Sequence, residues 1–168
     1  MVKYWILVLT LTFGEIMNAE PLPIGSPAPS LNEVLNQDNQ TVNLTEKFKS
    51  GWTLVYFYPK ADTPGCTKQA CSLRDDFSSL TAKGLTVFGV STDQVESQKA
   101  FQKKYSLPFP LLADHDQKIA KAFGVPTDSG FAKRISFLIH DGKIVWTNPA
   151  VNVKEHLDQV KAAMKDAK

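Results

Sequence analysis

The most constraining feature of this sequence is an apolar run, TLVYFY at residues 53–58, which lies between Gly51 and Pro59. Continuous runs of β-branched and aromatic residues are typical of strands that are covered on both faces of a sheet. Each face of such a strand would expose apolar side chains to water unless other elements packed against it. The run therefore predicts the central strand of an α/β fold.

Strand and helix signals alternate along the rest of the chain. A marginal edge hairpin is predicted within residues 31–44, and a single helix from Cys66 to near Gly84, where apolar residues recur every three or four positions. Further strands are predicted at 85–90, 111–113, 135–139 and 143–146, and further helices at 95–105, around 119–123 and at 153–167. Asp141-Gly142 is a hairpin signal between the last two strands. This order predicts one domain with a mixed central β-sheet flanked by helices.

The composition is that of a globular protein, and it excludes some functions. The chain has 168 residues, of which 43% are hydrophobic and 21% charged. A chain of this length can bury a stable core without disulfides, so the two cysteines are not needed as a structural bridge. The 19 basic and 17 acidic residues give a net charge of +2, and the basic residues are scattered. We therefore expect no nucleic-acid binding.

The first nineteen residues have the layout of a secretory signal peptide. Lys3 precedes an apolar run at residues 4–13, and the small residue Ala19 follows at a suitable cleavage position. A membrane anchor or a buried helix is the alternative, but ten apolar residues fall well short of the roughly 20 that span a bilayer. We therefore predict a signal peptide at 1–19, a folded domain at 20–168 and no stable membrane insertion.

A loop after the predicted central strand carries the candidate chemistry. Residues 59–66, PKADTPGC, connect that strand to the long helix and place Cys66 in the first turn of the helix. The helix dipole and the unpaired N–H groups there favour an anion, so a thiol at such a position ionises more readily and becomes a nucleophile. The alternatives are half of a structural disulfide or a small buried apolar residue.

The second cysteine, Cys71, lies five residues after Cys66 in the same predicted helix. Five helical steps place the two Cα atoms roughly 8–9 Å apart, beyond the roughly 7 Å that a disulfide tolerates. A disulfide between them and an intact helix therefore exclude each other. Either the first turns unwind when the pair oxidises, which is our working hypothesis and suits a redox cycle, or the pair does not form a bridge.

The residues around Cys66 resemble the active site of a known family. Pro59, Thr63 and Cys66 form P-x-x-x-T-x-x-C, the motif of peroxiredoxins, and the longer run FYPKADTPGCTKQACSLRDDF is similar to the Q type, also called bacterioferritin comigratory protein. The similarity continues through GSPAP at 25–29, VFGVSTD at 87–93, PFPLLAD at 108–114 and AKRISFLI at 132–139. The resemblance implies a thioredoxin-like fold and a thiol-dependent peroxidase that reduces hydrogen peroxide and organic hydroperoxides.

The resemblance also implies a role for each site residue. Cys66 would attack the peroxide and become a sulfenic acid, and Cys71 would resolve it as an intramolecular disulfide. Thr63 would hydrogen-bond around the thiolate and the peroxide, and Arg134 would stabilise the negative charge. Pro59, with Pro64, would restrict the loop and shield the sulfenate from water. Thioredoxin or a similar protein would reduce the disulfide, and the molecule would be a monomer or a weak dimer.

Other interpretations of these residues stay open at the level of sequence. Thr63 could simply cap the helix, and Arg134 could be a solvated residue before a strand. The three histidines, His115, His140 and His156, have no ligand spacing, so no metal is expected. No phosphate-binding or dinucleotide-binding motif occurs, so we expect no cofactor and a supply of electrons by thiol exchange.

Two other functions and two locations also stay open. The first function is a secreted thioredoxin-like disulfide exchange protein, although four residues rather than two separate the cysteines. The second is a non-enzymatic domain with a structural disulfide. The signal peptide predicts a periplasmic location in a Gram-negative source, and a cytoplasmic one if the N-terminal segment is not a signal.

Overall fold

The computed structural model describes residues 20–167, so the predicted signal peptide lies outside the described residues. Seven strands occur in that part of the chain: β1 (Val34–Asn36), β2 (Thr41–Val42), β3 (Trp52–Phe57), β4 (Leu85–Ser91), β5 (Leu111–Ala113), β6 (Ser136–His140) and β7 (Lys143–Asn148). Six helices accompany them: α1 (Leu44–Phe48), α2 (Pro64–Asp75), α3 (Phe77–Ala82), α4 (Val95–Tyr105), α5 (Lys118–Phe123) and α6 (His156–Asp166).

The strands form one mixed sheet in the order β2-β1-β5-β4-β3-β6-β7. β4 pairs in parallel with both β3 and β5, whereas β6 is antiparallel to both β3 and β7. β1 and β2 form the antiparallel hairpin at the far edge. All six residues of β3 are buried, which confirms the prediction of a central strand covered on both faces.

Alternate residues of β3 enter two separate cores. Val55 and Phe57 face the core that is closed by α1 and α5. Leu54 and Tyr56 face the other core, which is closed by α2, α3, α4 and α6 and includes Cys66. The period-2 alternation of a strand thus divides one continuous apolar run between two layers of helices. The loop that follows β3 emerges on the Cys66 side.

One predicted helix is wrong: the segment from Cys66 to Gly84 forms two helices. The backbone of Asp76 leaves the helical region, with φ −106° and ψ 8°, so α2 ends at Asp75 and α3 begins at Phe77. The Asp76 carboxylate forms an ion pair with Lys161 of α6, with 2.9 Å between the charged atoms. The apolar spacing runs across this break, so periodicity alone did not reveal it.

Two further details differ from the prediction. α1 was not predicted; it is a five-residue helix whose Asn43 side chain accepts the Glu46 N–H at 3.0 Å and caps its first turn. α6 begins at His156 rather than at residue 153, because the Asn152 side chain accepts the Lys154 N–H at 3.0 Å and holds a turn there. Both differences arise from local side-chain bonds to the backbone.

The predicted hairpin between the last two strands is confirmed. Asp141 and Gly142 both have positive φ, 47° and 79°, as a two-residue turn between antiparallel strands requires. The Asp141 carboxylate also accepts the N–H of Gly51 at 2.8 Å, next to the start of β3. Over residues 20–167, no helix is both long and apolar enough to cross a membrane.

Candidate active site

The loop after β3 is held in place by a chain of hydrogen bonds that is partly buried at Asp93 and fully buried at Gln98. The Ala61 N–H donates to the Asp93 carboxylate at 2.8 Å, and the Ser91 hydroxyl donates to the same oxygen at 2.7 Å. Gln98 donates to Ser91 at 2.9 Å and accepts from the Tyr58 hydroxyl. The loop therefore starts from a fixed position at the carboxyl ends of β3 and β4.

An exposed contact fixes the outer side of the same loop. Asp62 has a positive φ of 59°, which Asp tolerates better than most residues. Its carboxylate accepts hydrogen bonds from Lys104 at 2.7 Å and from the Tyr105 hydroxyl at 2.7 Å, both on α4. These bonds, the one from Lys104 first, lower the pKa of Asp62. The loop is thus attached to α4 immediately before α2 begins.

Cys66 lies in the first turn of α2, as predicted, and is 2% exposed. α2 starts with Pro64 and carries no acidic residue in its first turn, so the positive end of its dipole faces the sulfur without a competing carboxylate. The guanidinium packs closely over this turn, since a Cβ on Gly65 would lie 3.4 Å from Arg134 Nη2. The sulfur is therefore shielded from water and close to cationic and dipolar groups.

Arg134 reaches Cys66 from the segment that precedes β6. Its Nη2 donates to Cys66 Sγ at 3.2 Å, and its Nη1 donates to Gln69 Oε1 at 2.6 Å. A guanidinium can only donate, so the sulfur is the acceptor in this contact. The structure thus brings Arg134 to the candidate nucleophile and excludes the interpretation that it is a solvated residue.

Sequence reasoning missed the residues behind Arg134. Gln69 Nε2 lies 3.2 Å from His156 Nδ1, and His156 Nε2 lies 2.8 Å from the Ser136 hydroxyl. All three side chains are buried. Burial, reinforced by the positive charge of Arg134, lowers the pKa of His156 to about 4. No sequence signal links His156 to Cys66, because the contact depends on how α6 packs against α2.

Thr63 and Pro59 lie in the loop that leads into α2. Thr63 precedes Pro64, but its side chain forms no capping bond to α2; its hydroxyl instead donates to the Lys60 carbonyl at 2.9 Å. The capping interpretation of this side chain is therefore wrong. Pro59 is half-buried directly after β3, at the base of the loop.

Cys71 lies on α2 in the same uninterrupted helix as Cys66, and both cysteines are free thiols. Cys71 is half-buried at the edge of a shallow groove of about 470 Å³, lined also by Lys68, Ser72, Asp75, Asp76 and Leu157. The structure therefore holds the two cysteines in the arrangement for which we expected no disulfide unless α2 unwinds. Within residues 20–167, no three His, Cys, Asp or Glu side chains are grouped so that they could hold a metal ion.

Comparisons with known proteins give this site its context. Residues 24–147 match the AhpC/TSA family. Peroxiredoxin Bcp of Escherichia coli is 43% identical over 148 residues, which cover 83% of this chain and 94% of that protein. The crystal structure of a mutant of Xylella fastidiosa PrxQ has a TM-score of 0.80 at 28% identity and covers 88% of this chain and 98% of its own. Bacterioferritin comigratory protein of Xanthomonas campestris, studied for its alkyl peroxide reduction activity, has a TM-score of 0.78 at 28% identity, with 89% and 100% covered.

The chain therefore belongs to the AhpC/TSA family, and within it to the Bcp and Q type of peroxiredoxins. Its sheet and flanking helices are the thioredoxin-like fold of those structures, as the sequence resemblance implied. It is a thiol-dependent peroxidase, an oxidoreductase, which confirms the function predicted from the motif and excludes a purely structural domain.

Proposed function

We propose that Cys66 is the nucleophile that reduces a peroxide in this chain. The observation that carries the proposal is the 3.2 Å bond from Arg134 Nη2 to Cys66 Sγ in the first turn of α2. The Cys66 thiolate attacks the terminal peroxide oxygen, so that an S–O bond forms and the O–O bond breaks. Cys66 becomes a sulfenic acid, and the departing oxygen takes a proton and leaves as water or an alcohol.

The neighbouring residues have distinct roles in this step. Arg134 stabilises the thiolate in the resting enzyme and the charge on the departing oxygen in the transition state. The Thr63 hydroxyl donates to the Lys60 carbonyl, and its oxygen can still accept a hydrogen bond from the peroxide. Pro59 restricts the loop and limits the access of water to the sulfenic acid.

Cys71 completes the cycle as the resolving cysteine. Its thiolate displaces the sulfenic hydroxyl, which leaves as water, and a Cys66–Cys71 disulfide forms. Because both residues lie on α2, the first turns of α2 must unwind for this to happen. A dithiol protein of the thioredoxin type then supplies the two electrons that restore both thiols. Organic hydroperoxides are included among the substrates because the X. campestris relative is studied for its reduction of alkyl peroxides.

We further propose that the chain is exported and acts as a monomer or a weak dimer. The export proposal rests on the charged, apolar and small-residue order of residues 1–19, and the family match begins only at residue 24. In a Gram-negative source the protein acts in the periplasm. Expression of the full chain with a C-terminal tag, followed by fractionation and mass determination of the mature N-terminus, tests the export; the uncut chain in the cytoplasm would contradict it.

Stopped-flow oxidation of two cysteine variants tests the assignment of Cys66 and Cys71. We expect Cys66→Ser to abolish the reaction with hydrogen peroxide and with a bulky organic hydroperoxide. We expect Cys71→Ser to consume one equivalent of peroxide and then stop when thioredoxin is the reductant, because its sulfenic acid cannot form the disulfide. Steady turnover of Cys71→Ser with thioredoxin at the wild-type rate would contradict the resolving role.

A further inference from the structure

A line of polar side chains leads from Cys66 through α2 and α6 to β6. Behind Arg134 it contains Gln69 of α2, His156 of α6 and Ser136 of β6, which are 0%, 1% and 0% exposed. Buried polar groups of this kind cost free energy unless they are paired. Here each is paired with the next, at 2.6, 3.2 and 2.8 Å along the line from Arg134 to Ser136.

Arg134 sets the direction of every hydrogen bond along this line of side chains. Arg134 can only donate, so the Gln69 amide must turn its oxygen toward Arg134 and its nitrogen toward His156. The Gln69 nitrogen donates, so His156 Nδ1 must be the unprotonated, accepting nitrogen. His156 therefore carries its proton on Nε2 and donates it to the Ser136 hydroxyl.

We propose that His156 is a positioning residue for the peroxidase reaction: its neutral imidazole holds Gln69 with the amide oxygen toward Arg134, and this keeps the guanidinium on Cys66. The inference rests on the proposed role of Cys66 as the nucleophile. His156 does not touch the sulfur or a peroxide, and it acts only through Gln69 and Arg134.

The alternative orientation of Gln69 shows why the imidazole matters. If Nδ1 carried a proton, it would face the Gln69 NH₂ group as a second donor, and rotation of the amide would relieve that clash. The rotated amide would then present its NH₂ group to Arg134, again donor against donor. Among the described residues, the guanidinium side chain contacts only Gln69, through Nη1, and Cys66, through Nη2, as hydrogen-bond acceptors. Its position therefore depends on the orientation of Gln69.

The surroundings of His156 keep its imidazole neutral. Burial, together with the positive charge of Arg134, lowers its pKa to about 4, so it is neutral at physiological pH. Tyr56 of β3 lies near His156 as well, with 6.2 Å between the two ring centroids. Burial raises the pKa of Tyr56 well above its usual value, so this neighbour is neutral too.

Two substitutions at His156 separate positioning from packing. His156→Asn keeps an oxygen acceptor close to the position of Nδ1, whereas His156→Leu fills the space without an acceptor. We expect the leucine variant to react with hydrogen peroxide about 10- to 100-fold more slowly, because the guanidinium is misplaced. We also expect the pH midpoint of Cys66 alkylation by iodoacetamide to rise. The asparagine variant should stay within about 3-fold of wild type, which is under 1 kcal/mol in the barrier.

A double-mutant cycle tests whether His156 influences the reaction rate through Gln69. A carboxylate presents an oxygen to Arg134 in either orientation, so it needs no imidazole to select one. In the Gln69→Glu background, His156→Leu should therefore slow the reaction far less than in the wild-type background. His140→Leu is the control, because His140 stacks on Trp52 at the other end of β3; it should leave the rate and the alkylation midpoint unchanged.

The outcomes distinguish this inference from the proposed function. Wild-type rate and midpoint in His156→Leu, or equal losses in the leucine and asparagine variants, would overturn the positioning role, while Cys66→Ser would still report on the nucleophile. If the leucine variant does not fold, ¹⁵N NMR of labelled histidine in the wild-type protein decides. We expect an unprotonated Nδ1 and a protonated Nε2, and the opposite tautomer would overturn the proposal.

Discussion

At Cys66, two sources of positive potential converge on one buried sulfur. The first turn of α2 supplies the partial charge of its N–H groups, and Arg134 supplies a full charge at 3.2 Å. Both act in a site with little water, where electrostatic interactions are stronger than in solvent. The same groups remain aligned as charge moves to the departing oxygen, so they require no rearrangement during the reaction.

The forked geometry of Arg134 is as important as its charge. Its two terminal nitrogens bond to Gln69 and to Cys66 at the same time. A lysine keeps the charge but has no planar fork, so it cannot reproduce both bonds with the same alignment. We expect Arg134→Lys to slow the stopped-flow oxidation of Cys66 by about 100-fold, the cost of removing one aligned donor from an active site. Wild-type kinetics in this variant would show that charge alone is sufficient.

The pH dependence of stability follows from the lowered pKa of His156. The unfolded chain binds a proton at this residue near pH 6.5 and the folded chain only near pH 4. Between these values the unfolded chain binds more protons, so the free energy of unfolding falls as the pH falls from 6.5 to 4, by about 3 kcal/mol from this residue. Urea unfolding at pH 7 and at pH 4.5 measures the loss.

The control for this effect is the His156→Asn variant, which has no group to titrate. Burial raises the pKa of Asp114 to about 6, so this residue acts in the opposite direction and favours the folded chain as the pH falls through 6 toward 4. Asp114 is present in both proteins, so the difference between them isolates the histidine. Equal losses of stability in wild type and His156→Asn would contradict the prediction.

At the scale of elements, α2 joins the two chemical steps of the proposed cycle. As a helix, it presents Cys66 to the peroxide at its first turn and buries Ala70 and Leu73 against the sheet. The same helix holds Cys71 five residues away, at a Cα distance of roughly 8–9 Å that a disulfide does not tolerate. The intact helix thus serves the attack on peroxide, and the resolution step requires its local opening.

Hydrogen exchange measures this opening directly. We expect the amides of residues 64–75 to exchange faster in the protein oxidised by one equivalent of peroxide than in the reduced protein. Cys71→Ser treated in the same way is the control, because it forms the sulfenic acid without the disulfide and should keep α2 protected. Unchanged protection in wild type, with the disulfide verified by mass, would contradict the requirement for unwinding.

At the scale of the whole molecule, the sheet separates the reactive site from much of the core. Phe123 of α5 packs against Phe57 and Phe137 on the face opposite Cys66, with ring centroids 5.6 and 4.9 Å apart. Both faces bury a core, but only the face that includes Cys66 also holds the candidate site. Substitutions in the two cores should therefore have separable effects on unfolding and on peroxide reduction.

Phe123→Ala tests this separation. We expect it to lower the free energy of unfolding by about 3–5 kcal/mol, because it leaves a cavity among several rings, while the folded protein reacts with peroxide at the wild-type rate. Phe131→Ala is the same chemical change at a side chain that is 44% exposed, and it should alter stability by less than about 0.5 kcal/mol. Equal destabilisation by both substitutions in urea would show that α5 does not stabilise the core in this way.

Much of the architecture was predictable because the signals for it are local. The run at 53–58, the helix at 95–105 and the strand at 111–113 each depend on residues that are neighbours in the chain, and the structure confirms them within one residue. The break at Asp76 was not predictable from periodicity, because the apolar spacing continues across it. Lys161 of α6 forms an ion pair with the Asp76 carboxylate only in the folded molecule.

The reactive loop could be recognised from the sequence, because the proline, threonine and cysteine spacing and the position of Cys66 at the start of a helix depend on a few consecutive residues. The surroundings of that sulfur could not, because they come from distant parts of the chain. Arg134 reaches Cys66 across 68 residues of chain, and His156 reaches Gln69 across 87. Such contacts depend on how a strand and two helices pack, and hydrogen-bond direction follows only once donors and acceptors are in place.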